Sequence, residues 1–157
     1  MSETPRSSRA VEPREFPGRL HHAVPSWVPT GALFHIRIRA DASQHLPLTD
    51  SALAPRLLEA IRHYQSHGRW WCRLVVLMPD HLHAMLAFPQ APGMSATVRD
   101  WKRATARLHG VRWQSNFFDH RIRHEAEADE TWTYLGNNPV VKGLASAPEE
   151  WPWRWSV

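Results

Sequence analysis

The chain has 157 residues, 43% of them hydrophobic, which fits a single globular domain with a hydrophobic core and excludes a mainly disordered protein. Lys and Arg outnumber Asp and Glu by 19 to 15, and the resulting formal charge of +4 is compatible with a polyanionic partner but does not require one. The single cysteine, Cys72, leaves no internal disulfide bond and favours a reducing compartment.

The N-terminal segment differs in composition from the rest. Residues 1–18 are rich in Pro, Ser, Arg and Glu and predict a flexible arm, which leaves residues 19–157 as one domain. The segment has no apolar stretch typical of a signal peptide, and no apolar run in the chain approaches the roughly 20 residues that span a bilayer. We therefore expect a cytoplasmic protein with no membrane partner.

The first half of the domain alternates between strand and helix patterns. "ALFHIRIRA" has strand periodicity with one basic face, and "TDSALAPRLLEAIRHYQSHG" predicts a helix capped by Asp50 or Ser51 and stopped by Gly68. "WWCRLVVLM" and "HLHAMLAF" predict two strands joined at Pro79–Asp80 as an antiparallel hairpin. The residues expected on the buried face of the first helix are Leu53, Leu57, Ala60, Ile61 and Tyr64.

The second half adds two helices and a strand. A helix is predicted over Ser95–His109, a short strand within "SNFFDHRIR", and a third helix over Glu125–Asn137, ended by Pro139 directly after Asn138. The order β-α-β-β-α-β-α predicts an α+β fold, a ferredoxin-like antiparallel sheet with helices packed on it. The inner stripe expected for the second helix is Val98, Trp101, Thr105 and Leu108, and that of the third is Ala128, Trp132 and Leu135.

Two histidines lie on the predicted hairpin. Because side chains alternate along a strand, His81 and His83 point to one face, with Leu82, Ala84 and Leu86 on the other. Two imidazoles at this spacing can converge on one divalent cation. In a chain with eleven histidines such a pair also arises by chance, so a hairpin with two half-exposed histidines is the alternative.

The third predicted helix carries a tyrosine and an asparagine on one face. Tyr134 and Asn138 are four residues apart and lie off the apolar stripe. The chain has only two tyrosines, and Tyr64 belongs to the apolar stripe of the first helix. Tyr134 is therefore the candidate nucleophile, and a surface tyrosine followed by a helix-ending Asn-Pro is the alternative.

These motifs together resemble a known family. "VVLMPDHLHAML", followed some fifty residues later by "TYLGNNPVVKGL" and then by "PEEWPW", is similar to the single-tyrosine HUH transposases, specifically the REP-associated tyrosine transposases. The resemblance covers about residues 20 to 155. The chain departs from the family pattern at Asp80, where an asparagine is usual, and at Leu135 and Gly136.

The resemblance implies a site and an activity. It implies His81 and His83 as metal ligands, Asn138 as the third ligand and Tyr134 as the nucleophile. Imidazole with oxygen ligands is compatible with Mg²⁺ or Mn²⁺ as the cofactor, and histidine ligation alone also admits Zn²⁺ or another transition metal. The implied enzyme is a transposase that nicks and rejoins single-stranded DNA at repeat hairpins through a 5′-phosphotyrosine intermediate, as a monomer or a homodimer. Two alternatives are a domesticated hairpin-binding protein that no longer cleaves and a metal hydrolase that releases a free 5′-phosphate.

Such chemistry requires side chains that bind DNA phosphates. The candidates are basic residues of the first strand and of the second helix, with a solvated helix face as the alternative for those of the helix. They are Arg37, Arg39, Arg99, Lys102, Arg103 and Arg107.

Overall fold

The computed structural model describes residues 32–157, so the predicted arm of residues 1–18 and the first part of the predicted domain lie outside the described residues. Within these residues three α-helices and five strands follow one another. They are β1 (Leu33–Arg39), α1 (Leu53–Ser66), β2 (Trp71–Leu77), β3 (His81–Ala87), α2 (Met94–His109), β4 (Phe118–Ile122), α3 (Glu125–Val141) and β5 (Arg154–Ser156), with a 3₁₀ turn at Pro148–Glu150 before β5.

The strands form one sheet in the order β4-β1-β3-β2-β5, and all four pairings are antiparallel. The first four strands are arranged as in the ferredoxin-like class, which confirms the predicted α+β fold. The fifth strand was not predicted, because Arg154–Ser156 is too short to show a periodicity of its own. It pairs with β2 at the edge of the sheet.

Each face of the sheet has its own hydrophobic core. Helices α1 and α2 cover one face, where Leu82, Ala84 and Leu86 of β3 are buried as predicted. Helix α3 lies on the opposite face, where Ala128 and Leu135 pack against strand residues such as Met85. The predicted stripe of α3 is thus confirmed, with Trp132 partly buried at its margin.

The end of α3 differs from the prediction. The helix does not end at Asn138 but continues through Pro139 to Val141. A proline in the last turn forfeits a single backbone hydrogen bond, and here Gly143, with φ of 72°, provides the stop. The Leu144 N–H donates to the Pro139 carbonyl and the Gly143 N–H to the Val140 carbonyl, the bond pattern of a Schellman motif.

The last predicted position of the α2 stripe is also wrong. Leu108 is 69% exposed, whereas Val98, Trp101 and Thr105 are buried as expected. Helical spacing fixes the direction of a side chain but does not ensure that a neighbouring element extends far enough to cover it. No helix of residues 32–157 is both long and apolar enough to cross a membrane.

Candidate active site

The β2–β3 hairpin brings two imidazoles together at the start of β3. His81 and His83 lie on the α3 face of the sheet, because their neighbour Leu82 is buried in the opposite core. Their Nε2 atoms are 3.1 Å apart, and the two rings meet edge to face with centroids 4.7 Å apart. The spacing of the two histidines in the sequence therefore becomes a direct convergence of nitrogen atoms.

The second nitrogen of each ring is held by a different partner. The Nδ1 atom of His81 lies 2.6 Å from Oδ1 of Asp80, and the Nδ1 atom of His83 lies 2.9 Å from Nε2 of His35. If both Nδ1 atoms carry the proton and donate it, both Nε2 atoms present their lone pairs toward each other. This is the arrangement by which neighbouring groups orient metal-binding histidines.

His35 is a site residue that the sequence interpretation did not single out. It lies on β1, and only the register of β1 against β3 places it beside His83. The alternation of β1 put His35 on the same face as Arg37 and Arg39, which was the available signal. The predicted ferredoxin-like class makes β1 the neighbour of β3, but the residue of β1 that lies beside His83 follows only from the register in the structure.

Burial keeps these imidazoles neutral. Desolvation, reinforced by His81 and His35, lowers the pKa of His83 from its ordinary value of 6.5 to about 3. Desolvation and the nearby charge of Arg37 lower the pKa of His35 to about 4. Desolvation also lowers the pKa of His81, although the hydrogen bond to Asp80 acts in the opposite direction. Neutral rings are the form that binds metal ions.

Asn138 of α3 lies against His83. Together with His35, His81 and His83 it forms the histidine cluster. It is only 9% exposed, and its Nδ2 atom lies 3.4 Å from Nε2 of His83. Its Oδ1 atom is buried and has no hydrogen-bond partner. A buried carbonyl without a partner is costly, and a bound cation would relieve that cost. A half-turn of the amide about its terminal torsion exchanges Oδ1 and Nδ2, which have nearly the same shape.

The donor set fits a divalent cation. Two nitrogens that each lie about 2.1 Å from one ion, at an angle between about 90° and 110°, are about 3.0 to 3.4 Å apart. The separation of 3.1 Å between the two Nε2 atoms falls in that range. Within residues 32–157 no three His, Cys, Asp or Glu side chains are grouped to hold a metal, so the third donor available here is the amide of Asn138.

Tyr134 precedes Asn138 by about one turn of α3. It is 63% exposed, which agrees with its predicted position off the apolar stripe. Tyr64 is instead half-buried against Trp70, with ring centroids 5.0 Å apart. Among the described residues no partner hydrogen-bonds to the phenol of Tyr134, which is exposed to solvent on the helix that supplies Asn138.

Comparisons with solved structures agree with this architecture. The chain superimposes on the structure of a REP-associated tyrosine transposase bound to a REP hairpin with a TM-score of 0.67 and 22% sequence identity, covering 79% of this chain and 76% of that one. The chain has the fold of a REP-associated tyrosine transposase. A putative transposase from Deinococcus radiodurans R1 is also similar, with a TM-score of 0.45, 20% identity and coverage of 68% and 90% of the two chains. No protein-family model and no curated protein matches the sequence.

Two of the predicted basic residues lie beside the histidines of this transposase fold. Arg39 is the register partner of His81, and Arg37 is the register partner of His83. Both therefore share the face of the cluster, at the part of the sheet that extends beyond the hydrophobic contacts of α3. Arg39 is exposed, and the guanidinium of Arg37 lies over the ring of Phe118, 5.2 Å from its centroid.

The basic residues of α2 are not equivalent to one another. Arg99 and Arg103 are exposed and line a surface cavity of about 630 Å³ between α2 and residues 111–117. Lys102 lines the same cavity, but its Nζ atom donates to the carbonyls of Gln114, Ser115 and Asn116. Arg107 is exposed and does not contribute to the described lining.

The cavity beside α2 is both basic and aromatic. Arg112 adds a fourth cation, Trp113 and Phe117 supply aromatic rings, and no acidic side chain of the described residues lines it. The indole of Trp113 donates to Oγ1 of Thr105, which fixes its position. The chain thus presents, near the edge strand β4, a surface that is positively charged and aromatic.

Proposed function

We propose that this chain is a DNA strand transferase in which Tyr134 is the nucleophile and His81, His83 and Asn138 hold a divalent cation, Mg²⁺ or Mn²⁺. The observation that carries the proposal is the convergence of the two Nε2 atoms and the buried Asn138 amide, one helical turn from an exposed phenol. All four residues lie in one chain, so a monomer contains the whole set, and a homodimer remains compatible with it.

The residues of the chain prepare the site for reaction at a phosphodiester. Asp80 and His35 hold the two ligand histidines in the tautomer whose Nε2 lone pairs face the substrate side. The basic side chains of Arg37 and Arg39 attract the DNA backbone to the same face. When bound, the cation withdraws charge from phosphate oxygens and stabilises the departing oxygen.

Tyr134 would attack the phosphorus in line. The bond between the phenol oxygen and phosphorus forms, the bond from phosphorus to the 3′-oxygen breaks, the phenol loses its proton and the 3′-oxygen gains one. The products are a 5′-phosphotyrosine and a free 3′-OH. Because the phosphodiester energy is kept in this linkage, a second 3′-OH can reverse the step and join new ends without a nucleotide cofactor.

The proposed substrate is single-stranded DNA that flanks a hairpin. Two observations support it: the structure with the same fold contains a REP-associated transposase bound to a REP hairpin, and the cavity beside α2 is lined by Arg99, Arg103 and Arg112. A flexible single strand can bend so that one phosphate enters the cluster, which a stiff duplex cannot do.

A denaturing gel tests the proposal. A pool of hairpin oligonucleotides with randomised single-stranded flanks is labelled at the 3′ end, because the fragment with the new 5′-phosphate remains on the tyrosine. With Mg²⁺ or Mn²⁺ we expect a labelled protein–DNA adduct, which is lost with EDTA and in Tyr134→Phe. Tyr64→Phe is the matched control, since it removes the other phenol from a half-buried position and should retain the adduct.

The other outcomes identify the rival functions. An adduct that persists in Tyr134→Phe would refute the assigned nucleophile. Hairpin binding that survives EDTA, with no adduct under either cation, would indicate a hairpin-binding protein that does not cleave. Release of a free 5′-phosphate without any adduct would indicate a metal hydrolase.

A further inference from the structure

Phe118 is a large apolar side chain in an exposed position on the active-site face. It begins the edge strand β4 and is 43% exposed. Ile122 of the same strand is buried in the α3 core, and side chains two and four residues apart share a face, so Phe118 lies on the face of the histidine cluster. Phe118 belongs to neither hydrophobic core of the sheet.

Phe118, Arg37 and His83 lie side by side across three neighbouring strands. Arg37 of β1 pairs with Phe118 on one side and with His83 on the other. Neighbouring strands are about 4.8 Å apart, so the Cα atoms of Phe118 and His83 are about 10 Å apart. At a rise of 3.4 Å per stacked nucleotide, about three nucleotides cover this distance.

The ring of Phe118 is held in place by its neighbours. The guanidinium of Arg37 lies 5.2 Å from the ring centroid, and the ring of His35 approaches at 5.5 Å with its plane inclined by 70°. His35 is itself hydrogen-bonded to His83. The aromatic surface is therefore connected through fixed side chains to the residue that we propose binds the cation.

The charges around Phe118 favour a polyanion. Arg37 and Arg39 lie on this face, and the carboxylates of Asp80 and Glu127 are held by hydrogen bonds to His81 and His120. Asp119, the neighbour of Phe118 in the sequence, points to the opposite face of the sheet. The exposed surface here combines a positive charge with an aromatic ring, the combination that binds single-stranded nucleic acid.

We propose that Phe118 and Arg37 form a stacking platform for one unpaired base of single-stranded DNA, which holds the adjoining backbone over Arg39 and the histidine cluster. The ligand class is a pyrimidine or purine base in an unpaired strand, since every base has a face that stacks on an aromatic ring. The inference rests on the proposed function for its substrate, and it assigns the position of the strand beside the reacting phosphate.

Binding of a labelled 12-nucleotide oligothymidylate, measured by fluorescence anisotropy in EDTA, tests the platform without the cation site. Base stacking on one aromatic residue contributes enough affinity that Phe118→Leu should weaken binding roughly 5- to 100-fold. Phe118→Trp should bind at least as tightly as the unmodified chain. Leu108→Ala is the matched control, because Leu108 is also an exposed large apolar residue, on α2, and its loss should leave binding unchanged.

A second measurement locates the base. With 2-aminopurine placed at successive positions of the hairpin flanks, the fluorescence should be quenched at one position, and Phe118→Leu should remove that quenching while Tyr134→Phe retains it. Thermal melting of each variant shows that it is folded. Equal binding by Phe118→Leu and the unmodified chain, or no binding of the oligothymidylate by the unmodified chain, overturns the platform.

The binding and adduct experiments test the stacking platform and the strand-transfer activity independently. If Phe118→Leu weakens binding but no adduct forms with any cation, the platform stands and the strand-transfer function fails. If the adduct forms normally and Phe118→Leu binds as tightly as the unmodified chain, the function stands and the platform fails.

Discussion

The Nε2 atoms of His81 and His83 lie 3.1 Å apart, while their Nδ1 atoms are held by two different residues, Asp80 and His35. Both rings are thereby fixed in orientation before any ligand arrives. The partners differ in charge, a carboxylate for His81 and a neutral imidazole for His83. The affinity of the site for a cation therefore depends on residues that do not themselves face it.

The dependence of cation affinity on the residues that orient the histidines can be tested at Asp80. Asp80→Ala removes the acceptor that orients His81, and we expect the affinity for Mn²⁺, measured by isothermal titration calorimetry, to fall about 10- to 100-fold. Asp80→Asn keeps an acceptor oxygen and loses only the charge, so its effect should be smaller. Because Asp80 is largely exposed, neither change should lower the melting temperature appreciably.

Asp119→Ala is the control for charge alone. Asp119 is an exposed carboxylate on β4 that points to the other face of the sheet. Removing it changes the net charge by the same amount and should leave Mn²⁺ affinity unchanged. Equal effects of Asp80→Ala and Asp119→Ala would show that long-range charge, and not the orientation of His81, sets the affinity.

The neutral histidines also predict how stability depends on pH. The pKa of His83 is about 3 and that of His35 about 4 in the folded chain, whereas both are near 6.5 when unfolded. Below pH 6.5 the unfolded chain binds more protons, so acidification favours unfolding. The stability associated with the neutral rings is complete above pH 6.5 and is lost as the pH falls toward 4 and then 3.

Thermal unfolding in EDTA at pH 7 and pH 5 measures this effect. For the buried His83 the loss by pH 5 should be about 2 kcal/mol, since one pKa unit corresponds to about 1.4 kcal/mol. The double variant His35→Gln, His83→Gln cannot bind these protons and should show a flatter dependence between the two pH values. A decrease in melting temperature as large as that of the unmodified chain would mean that other groups cause it.

The sequence predicted most of the fold because its signals were local. Alternation in "ALFHIRIRA" and "HLHAMLAF" and the apolar stripes of the helices each depend on a few adjacent residues, and all seven predicted elements are present. The end of α3 differs from the prediction because Pro139 predicts a stop, although a proline in a last turn removes only one hydrogen bond. Strand β5 was missed because its three residues pair only through the tertiary fold.

The positions of the candidate site residues were predictable only where those residues are close in sequence. His81 and His83 share a strand face, and Tyr134 and Asn138 share a helix face, so each pair followed from its own periodicity. His35 and Phe118 lie on β1 and β4, and their relation to the cluster depends on the strand order β4-β1-β3. The predicted ferredoxin-like class implies that order, but no local pattern specifies the register that brings His35 and Phe118 beside His83 and Arg37.

Lys102 and Arg103 are neighbours on α2, and the structure predicts opposite consequences when each is replaced. Lys102 donates to the carbonyls of Gln114, Ser115 and Asn116 and so holds the segment that leads to β4. Partial burial lowers the pKa of Lys102, although these carbonyls retain its ammonium. Lys102→Met should therefore reduce the free energy of unfolding by about 1–2 kcal/mol, measured with urea.

Arg103→Met should change stability by less than about 0.5 kcal/mol, because Arg103 is exposed and makes no ion pair within the described part of the chain. It should instead reduce the magnitude of the slope of log affinity against log salt concentration for the oligothymidylate by about 0.7, the value expected for one lost contact to a phosphate of a single strand. Lys102→Met should leave that slope unchanged once the protein is folded, because its ammonium is already committed to carbonyl oxygens. If Lys102→Met reduces the magnitude of this salt slope and Arg103→Met does not, the phosphate contact belongs to Lys102 and not to Arg103.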